Sequence, residues 1–279
     1  MRTKTKRRIK GLLQGLLGYE RYLRAFAWYK ARTLHWDRRE KDFFHFVSNL
    51  PERAVVLDVG ANLGFLCVRL ARQVRRGRVI AFEPLPDNHR VLCWLLRRFR
   101  IANVEVYPCA LGDRNGSASM VLPVRNRVRE QGLGRIVAGE AGEPQGIPFE
   151  VPVRRLDDLK RVIPPWVRVS AMKMDVENFE RFVLLGALRI LRRDRPLVYL
   201  ELWDNENRRV CFSIAERLGY DVCVYVDDRL VPFDPARHRH GNFFFVPRPR
   251  TGGWPSMRPR GVESEGEPTW SIVAQPGAA

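Results

Sequence analysis

Residues 51–247 predict an α/β fold: one mostly parallel, seven-stranded sheet with helices on both faces. Three observations point there. Short apolar runs, beginning with Ala54–Val59, read as strands buried on both sides. Segments with apolar residues at helical spacing separate them, as in Val91, Leu92, Leu95 and Leu96. Between the first strand and the first helix lies Asp58-Val-Gly-Ala-Asn-Leu-Gly64, a two-glycine turn of the kind that lets a sheet bind a ligand at its edge.

The elements follow in order. Residues 1–50 form a basic extension, with Ile9, Leu12, Leu13, Leu16, Leu17 and Leu23 at helical spacing in residues 9–30. That pattern fits a helix lying on an anionic membrane surface, or a helix packed on the domain. Gly11, Gly15 and Gly18 weaken an isolated helix and favour packing. After strand 54–59 come a helix over 64–76, a strand over 78–82, a helix over 87–99 and a strand over 104–107. Residues 114–150 break the pattern with Gly, Pro and Arg and read as a turn, an extra hairpin and a mobile loop. Asp157 is the expected N-cap of a short helix leading to Pro164. Alternation then resumes with strand 169–174, helix 179–192, strand 197–202 and helix 206–218, and strands 221–226 and 242–246 close the core. Residues 248–279, rich in Pro, Gly, Ser and charge, read as a disordered tail.

The formal net charge is +18, of which residues 1–50 supply +9, and 42 of the 49 basic residues are arginine. Such a balance admits nucleic acid, a membrane surface or an anionic glycan as partner and selects none. No apolar run approaches the ~20 residues a membrane-spanning helix needs, and the stretch 12–17 lacks the features of a signal peptide. Cys67, Cys93, Cys109, Cys211 and Cys223 form no C-x-x-C pair and no zinc-like spacing. They read as free thiols of a cytoplasmic protein, and no metal is expected.

Four short segments carry the chemistry. Gly60 and Gly64 allow a tight turn at a helix N-terminus, where backbone N–H groups favour a carboxylate or phosphate. A nicotinamide cofactor calls for G-x-G-x-x-G, and Asn62 stands at its middle position. With Asp58 in the strand before it, the turn suits a ligand bearing an ammonium and a carboxylate on one amino-acid end, as S-adenosylmethionine does. Glu83, in Phe82-Glu-Pro84, ends the second strand, where a carboxylate can accept the two hydroxyls of a ribose. Ala110 and Leu111, in Ala110-Leu-Gly-Asp113, are placed to border an adenine. Lys173-Met-Asp-Val-Glu-Asn178 ends the fourth strand, and Asp175 and Glu177 sit at the carboxyl edge where open α/β sheets bind ligands.

Taken with Leu156–Asp158, an apolar strand ending in Glu201, and Asn242-Phe-Phe-Phe245, this order resembles the FkbM-type methyltransferase family over about residues 53–247. The resemblance implies a Rossmann-like class I methyltransferase fold and S-adenosylmethionine as donor. It also implies O-methylation of a hydroxyl on a sugar, glycan or natural-product acceptor. Asn178 departs from the family's D-V-E-G. Asn tolerates a left-handed backbone, so the turn is expected to survive. Asp175 and Glu177 are the candidate catalytic acids, with Glu201 behind them; His240, in Arg237-His-Arg-His240, reads as part of a charged loop. A nucleic-acid methyltransferase is the nearest alternative, but two acids at 175–178 replace the Asn/Asp-Pro-Pro-Tyr/Phe motif such enzymes carry. A non-catalytic, membrane-associated module on the same fold is the other; the intact glycine turn and Glu83 argue against it.

Overall fold

The computed structural model describes residues 2–125, 128–130, 134–136 and 146–249. The tail expected after residue 247 lies outside them from residue 250 onward. So does much of the mobile loop expected within 114–150.

Three helices come first: α1 (Arg2–Leu17), α2 (Tyr19–Thr33) and α3 (Lys41–Ser48). The doubly wound core begins with β1 (Val55–Val59), α4 (Phe65–Gln73), β2 (Arg78–Phe82), α5 (Pro86–Arg98) and β3 (Val104–Tyr107). An inserted block follows: β4 (Ala110–Leu111), β5 (Gly116–Arg125), β6 (Val128–Arg129), β7 (Arg135–Ile136) and β8 (Gly146–Arg154). The core then resumes with β9 (Ala171–Met174), α6 (Glu180–Leu185), α7 (Leu188–Asp194), β10 (Leu197–Glu201) and α8 (Glu206–Arg217). It ends with β11 (Tyr220–Val226), β12 (Arg229–Pro232) and β13 (Asn242–Pro247).

The main sheet has the order β12-β11-β13-β10-β9-β1-β2-β3. The five strands from β10 to β3 are parallel, and β13, β11 and β12 are antiparallel. The seven expected strands are all present. The eighth, β12, pairs with β11 across Asp227 and Asp228, both at positive φ (48° and 60°). That is the backbone a two-residue hairpin turn demands, and Asp tolerates it.

Period-two alternation divides the core between the two faces. Leu57 and Val59 face a cluster formed with α6, α7 and α8, whereas Val56 faces one formed with α2, α3, α4 and α5. A further strand pair supplies the extra hairpin expected within 114–150 and extends it to residue 154. β5 and β8 run antiparallel from Gly116↔Val153 to Pro123↔Gly146, and with β4, β6 and β7 they form a second small sheet. Its apolar side packs through Met120, Leu122, Val151 and Val153 onto Leu85 and Ala110.

Three further expectations are corrected. The helix expected over 179–192 is two helices, parted at Gly186–Ala187. Asp157 does not cap a helix of its own; it lies in a 3-10 turn (Leu156–Asp158) and caps α7 from outside. Its Oδ2 accepts from Arg189 N at 2.7 Å and its Oδ1 from Ile190 N at 3.1 Å. The N-terminal pattern is likewise two helices, broken at Gly18 (φ 74°). α2 packs on the domain and buries Tyr22, Leu23 and Ala27, while α1 leaves its apolar residues exposed. No helix among the described residues is long and apolar enough to cross a membrane.

Candidate active site at the carboxyl edge of the sheet

Strand order reverses at β1, with β2 on one side and β9 on the other, and a cleft opens above that point. It holds about 580 Å³ of non-atom space, including the solvent at its mouth. Gly60, Asn62, Glu83, Ala110, Leu111, Asp175 and Glu177 all line it. So do Leu85 and Cys109, and the small sheet adds Met120, Gly134 and Ile136 as a wall.

The glycine turn is built by close approach. A Cβ on Gly60 would lie 1.9 Å from the carbonyl oxygen of Asp175, and one on Gly64 would lie 2.2 Å from Leu92 Cδ1. Both have positive φ (74° and 86°), which other residues adopt only with strain. Gly60 and Ala61 donate their N–H groups to Phe82 O, both at 3.0 Å, tying the turn to the end of β2. Gly64 therefore shapes the turn from outside the cleft and does not line it.

Glu83 is buried and fixed at both oxygens. Asn62 N donates to Oε2 at 2.8 Å, Leu85 N to Oε1 at 3.0 Å, and Asn88 Nδ2 to Oε1 at 3.4 Å. Burial still outweighs these bonds and pushes its carboxyl up to about 7. The Asn62 amide is thus committed to Glu83. Its own Oδ1, however, is buried with no hydrogen-bond partner, an acceptor that a ligand donor can satisfy.

Asp58 lies beneath the cleft rather than in it. Fully buried, it faces Lys173 across the β1–β9 register, with Nζ 3.2 Å from Oδ1. Lys173 Nζ also donates to Gly60 O at 2.9 Å. Burial disfavours the ammonium, but Asp58 and then Asp175 outweigh it and raise the Lys173 pKa. Asp58 and Lys173 together hold the glycine turn from below, and Asp58 is not among the residues that line the cleft.

The segment after β9 is strained. Glu177 and Asn178 both have positive φ (53° and 75°). Asn178 thus adopts the left-handed backbone expected of it. Glu177 does so as well, which the sequence did not indicate. A polar lattice holds the turn. Asn205 Nδ2 donates to Asn178 Oδ1 at 2.7 Å, Asn178 N donates to Glu180 Oε1 at 3.2 Å, and Asn207 Nδ2 donates to Glu180 Oε2 at 2.6 Å. Glu180 is buried and pushed up to about 7, chiefly by burial. Glu177 is pushed up to about 8, first by desolvation and then by Asp175, Glu201 and Glu180, with Arg135 opposing. Glu201 ends β10 outside the cleft lining; desolvation, then Asp175, raises its carboxyl. His240 sits in the loop before β13 and is not among the residues that line the cleft.

Sequence reasoning missed Glu180, Asn205 and Asn207, which lie up to 27 residues apart and meet only because α6 and α8 pack together. It also assigned no role to Lys173, although an ionisable residue inside an apolar strand is itself a signal.

Among the described residues, three acids and no lysine or arginine line this cleft. An acidic lining suits a cation. The profile of the FkbM methyltransferase domain matches residues 58–225. The chain belongs to the FkbM methyltransferase family. Its cofactor is S-adenosylmethionine, and its fold is the Rossmann-like class I methyltransferase fold.

Curated relatives include methyltransferase sdnD of Sordaria araneosa, 24% identical over 208 residues, covering 65% of this chain and 79% of that one. Methyltransferase 1 of Beauveria bassiana is 24% identical over 153 residues, covering 50% of this chain and 61% of that one. The AMB antimetabolite synthetase AmbE of Pseudomonas aeruginosa is 47% identical over 216 residues, which cover 64% of this chain but 10% of the synthetase. Among solved structures, a crystal structure of methyltransferase FkbM from Methylobacillus flagellatus is similar at a TM-score of 0.47 and 18% identity. The match covers 71% of this chain and 44% of that one.

The FkbM cleft fits its cofactor on three counts. It is anionic where a sulfonium and an ammonium must be held, it offers the unsatisfied Asn62 Oδ1, and its Gly60 cradle is space a side chain would fill.

Proposed function

We propose that this chain transfers the methyl group of S-adenosylmethionine to a hydroxyl oxygen of a small-molecule acceptor, a natural product or a sugar. The observation that carries the reading is the pair Asp175 and Glu177. Both line the cleft beside the glycine turn, and Glu177 is tuned to about 8. An alcohol gives up its proton as its oxygen is methylated, and a base with a pKa near the working pH takes that proton best. The similarity to part of AmbE, an antimetabolite synthetase, supports a natural-product acceptor.

When bound, S-adenosylmethionine supplies an electrophilic methyl on a sulfonium, and the rest falls to the chain. Glu83 would accept the ribose hydroxyls with the lone pairs left free by Asn62 N and Leu85 N. Asn62 Oδ1 would accept from the ammonium, and Ala110 and Leu111 would flank the base. The small sheet, through Met120 and Ile136, walls the cleft from water, and Asp175 and Glu177 orient the acceptor and hold its proton.

Calorimetric titration with S-adenosylmethionine and S-adenosylhomocysteine tests the cofactor half, with Glu83→Ala expected to abolish measurable binding. Incubation with 13C-methyl donor and pooled hydroxylated acceptors, read by NMR, tests the transfer. The expected product is a methyl ether, formed about 10²- to 10⁴-fold more slowly by Asp175→Asn. N- or C-methyl products, or unchanged turnover in that variant, would overturn the assignment.

A further inference from the structure

α1 presents an apolar surface that none of the described residues covers. Ile9, Leu12, Leu13, Leu16 and Leu17 are 53, 67, 40, 81 and 41% exposed. Single exposed leucines are ordinary, but five on four turns of one helix form a patch. In contrast, α2, joined to α1 through Gly18 alone, buries its apolar residues on the domain.

The way α1 is held leaves the patch free. Lys10 Nζ lies 2.7 Å from Glu130 Oε2, and Gln14 Nε2 donates to Arg129 O at 3.2 Å while Arg129 N donates back to Gln14 Oε1 at 3.3 Å. Lys10 and Gln14 are four residues apart and share one side of the helix, which is thus pinned to the small sheet. Ile9, Leu12, Leu13 and Leu16 lie on the other side.

Charge selects the occupant. α1 carries Arg2, Lys4, Lys6, Arg7, Arg8 and Lys10 and no acid. A second copy of this chain would bring the same dense positive charge to the interface and repel it. An anionic lipid surface complements it, because its headgroups pair with the basic residues while its hydrocarbon boundary takes the leucines. The glycines agree with this. A Cβ on Gly15 would meet nothing within 4 Å, so Gly15 serves no close packing and leaves α1 a weak helix in water.

We infer that α1 seats the protein on an anionic membrane surface, lying in the interface with Ile9, Leu12, Leu13 and Leu16 inserted. Gln14 and Lys10 hold the small sheet, and so the wall of the cleft, close behind that surface. This inference is independent of the acceptor.

Vesicle flotation of the full chain, with phosphatidylcholine alone and with added phosphatidylglycerol, tests it, alongside Leu12→Gln/Leu16→Gln. The protein is expected to float with the anionic vesicles only, less so as salt rises. The variant should bind about tenfold more weakly while keeping its melting temperature and S-adenosylmethionine affinity. Failure to float, equal flotation with neutral vesicles, or equal flotation of the variant would overturn the inference. So would sedimentation showing a dimer that the variant dissolves and anionic vesicles do not, since the patch would then cover a second copy.

Discussion

Glu177 runs against its own chemistry twice, in a left-handed backbone that ordinarily costs about 1–3 kcal/mol and in a cluster of acids that raises its pKa to about 8. Its folded pKa lies above the unfolded value near 4.5, so it does not burden the fold below that pH. The cost grows as pH rises toward 8 and is complete beyond it. Glu177→Gln is therefore expected to leave stability unchanged at pH 4 and to raise it by about 1–2 kcal/mol at pH 8.5, while lowering turnover. Denaturant unfolding at the two pH values checks this, and equal effects at both would refute the electrostatic origin. Asp58 and Lys173 behave oppositely, because each is buried and depends on the other. Lys173→Met should cost about 3–5 kcal/mol, and adding Asp58→Asn should recover part of it, as thermal unfolding would show. The sequence contained both residues but not the register that sets them side by side. Asp58 reads from sequence as a ligand contact, and the register shows it also bracing the turn through Lys173.

At the scale of elements, legibility followed the range of the interactions. β1, β2, β3, β9, β10, β11 and β13 announce themselves through local apolar runs, so the sequence placed them within a residue or two. The break between α6 and α7 has no such local mark. It exists because the Gly186 carbonyl accepts from Asp157 N at 2.9 Å, and because the Asp157 carboxylate caps the second helix from 30 residues upstream. Asp157→Ala strips two helical N–H groups of their acceptor in a buried place. The expected loss is about 2 kcal/mol, with Asp157→Asn losing less, since one amide oxygen still accepts. An unchanged melting temperature in the alanine variant would show that α7 has another cap. The β5–β8 pair was legible as an extra hairpin but not in its bounds or register, since prolines at 123, 148 and 152 and an intervening loop mask its alternation. That sheet nevertheless supplies Met120, Gly134 and Ile136 to the cleft.

Across the whole molecule, a chain of net charge +18 sets Glu83, Asp175, Glu177 and Glu201 together at the carboxyl edge between β2 and β10. The glycine turn, Glu83 and Asp175 were legible as an edge site because each ends a recognisable strand. The repulsion that Asp175, Glu201 and Glu180 exert on Glu177 was not, because it depends on burial and on α6 and α8 closing around Glu180. Glu83, near 7, and Glu177, near 8, are substantially protonated at neutral pH, with desolvation the larger cause for both. A bound cation favours the charged carboxylate and so lowers both pKa values. Binding of S-adenosylmethionine between pH 7 and 8 must then release protons, on the order of half to one per site. Titration calorimetry in buffers of different ionisation enthalpy measures that number directly. Glu177→Gln should remove most of it while leaving Glu83's share, and the release in the unaltered protein should fade toward pH 9.5, where both groups are already ionised. If no protons leave at any pH in this range, the acids are not tuned by one another and by burial as the geometry requires. Glu177 would then lose its claim to be the base.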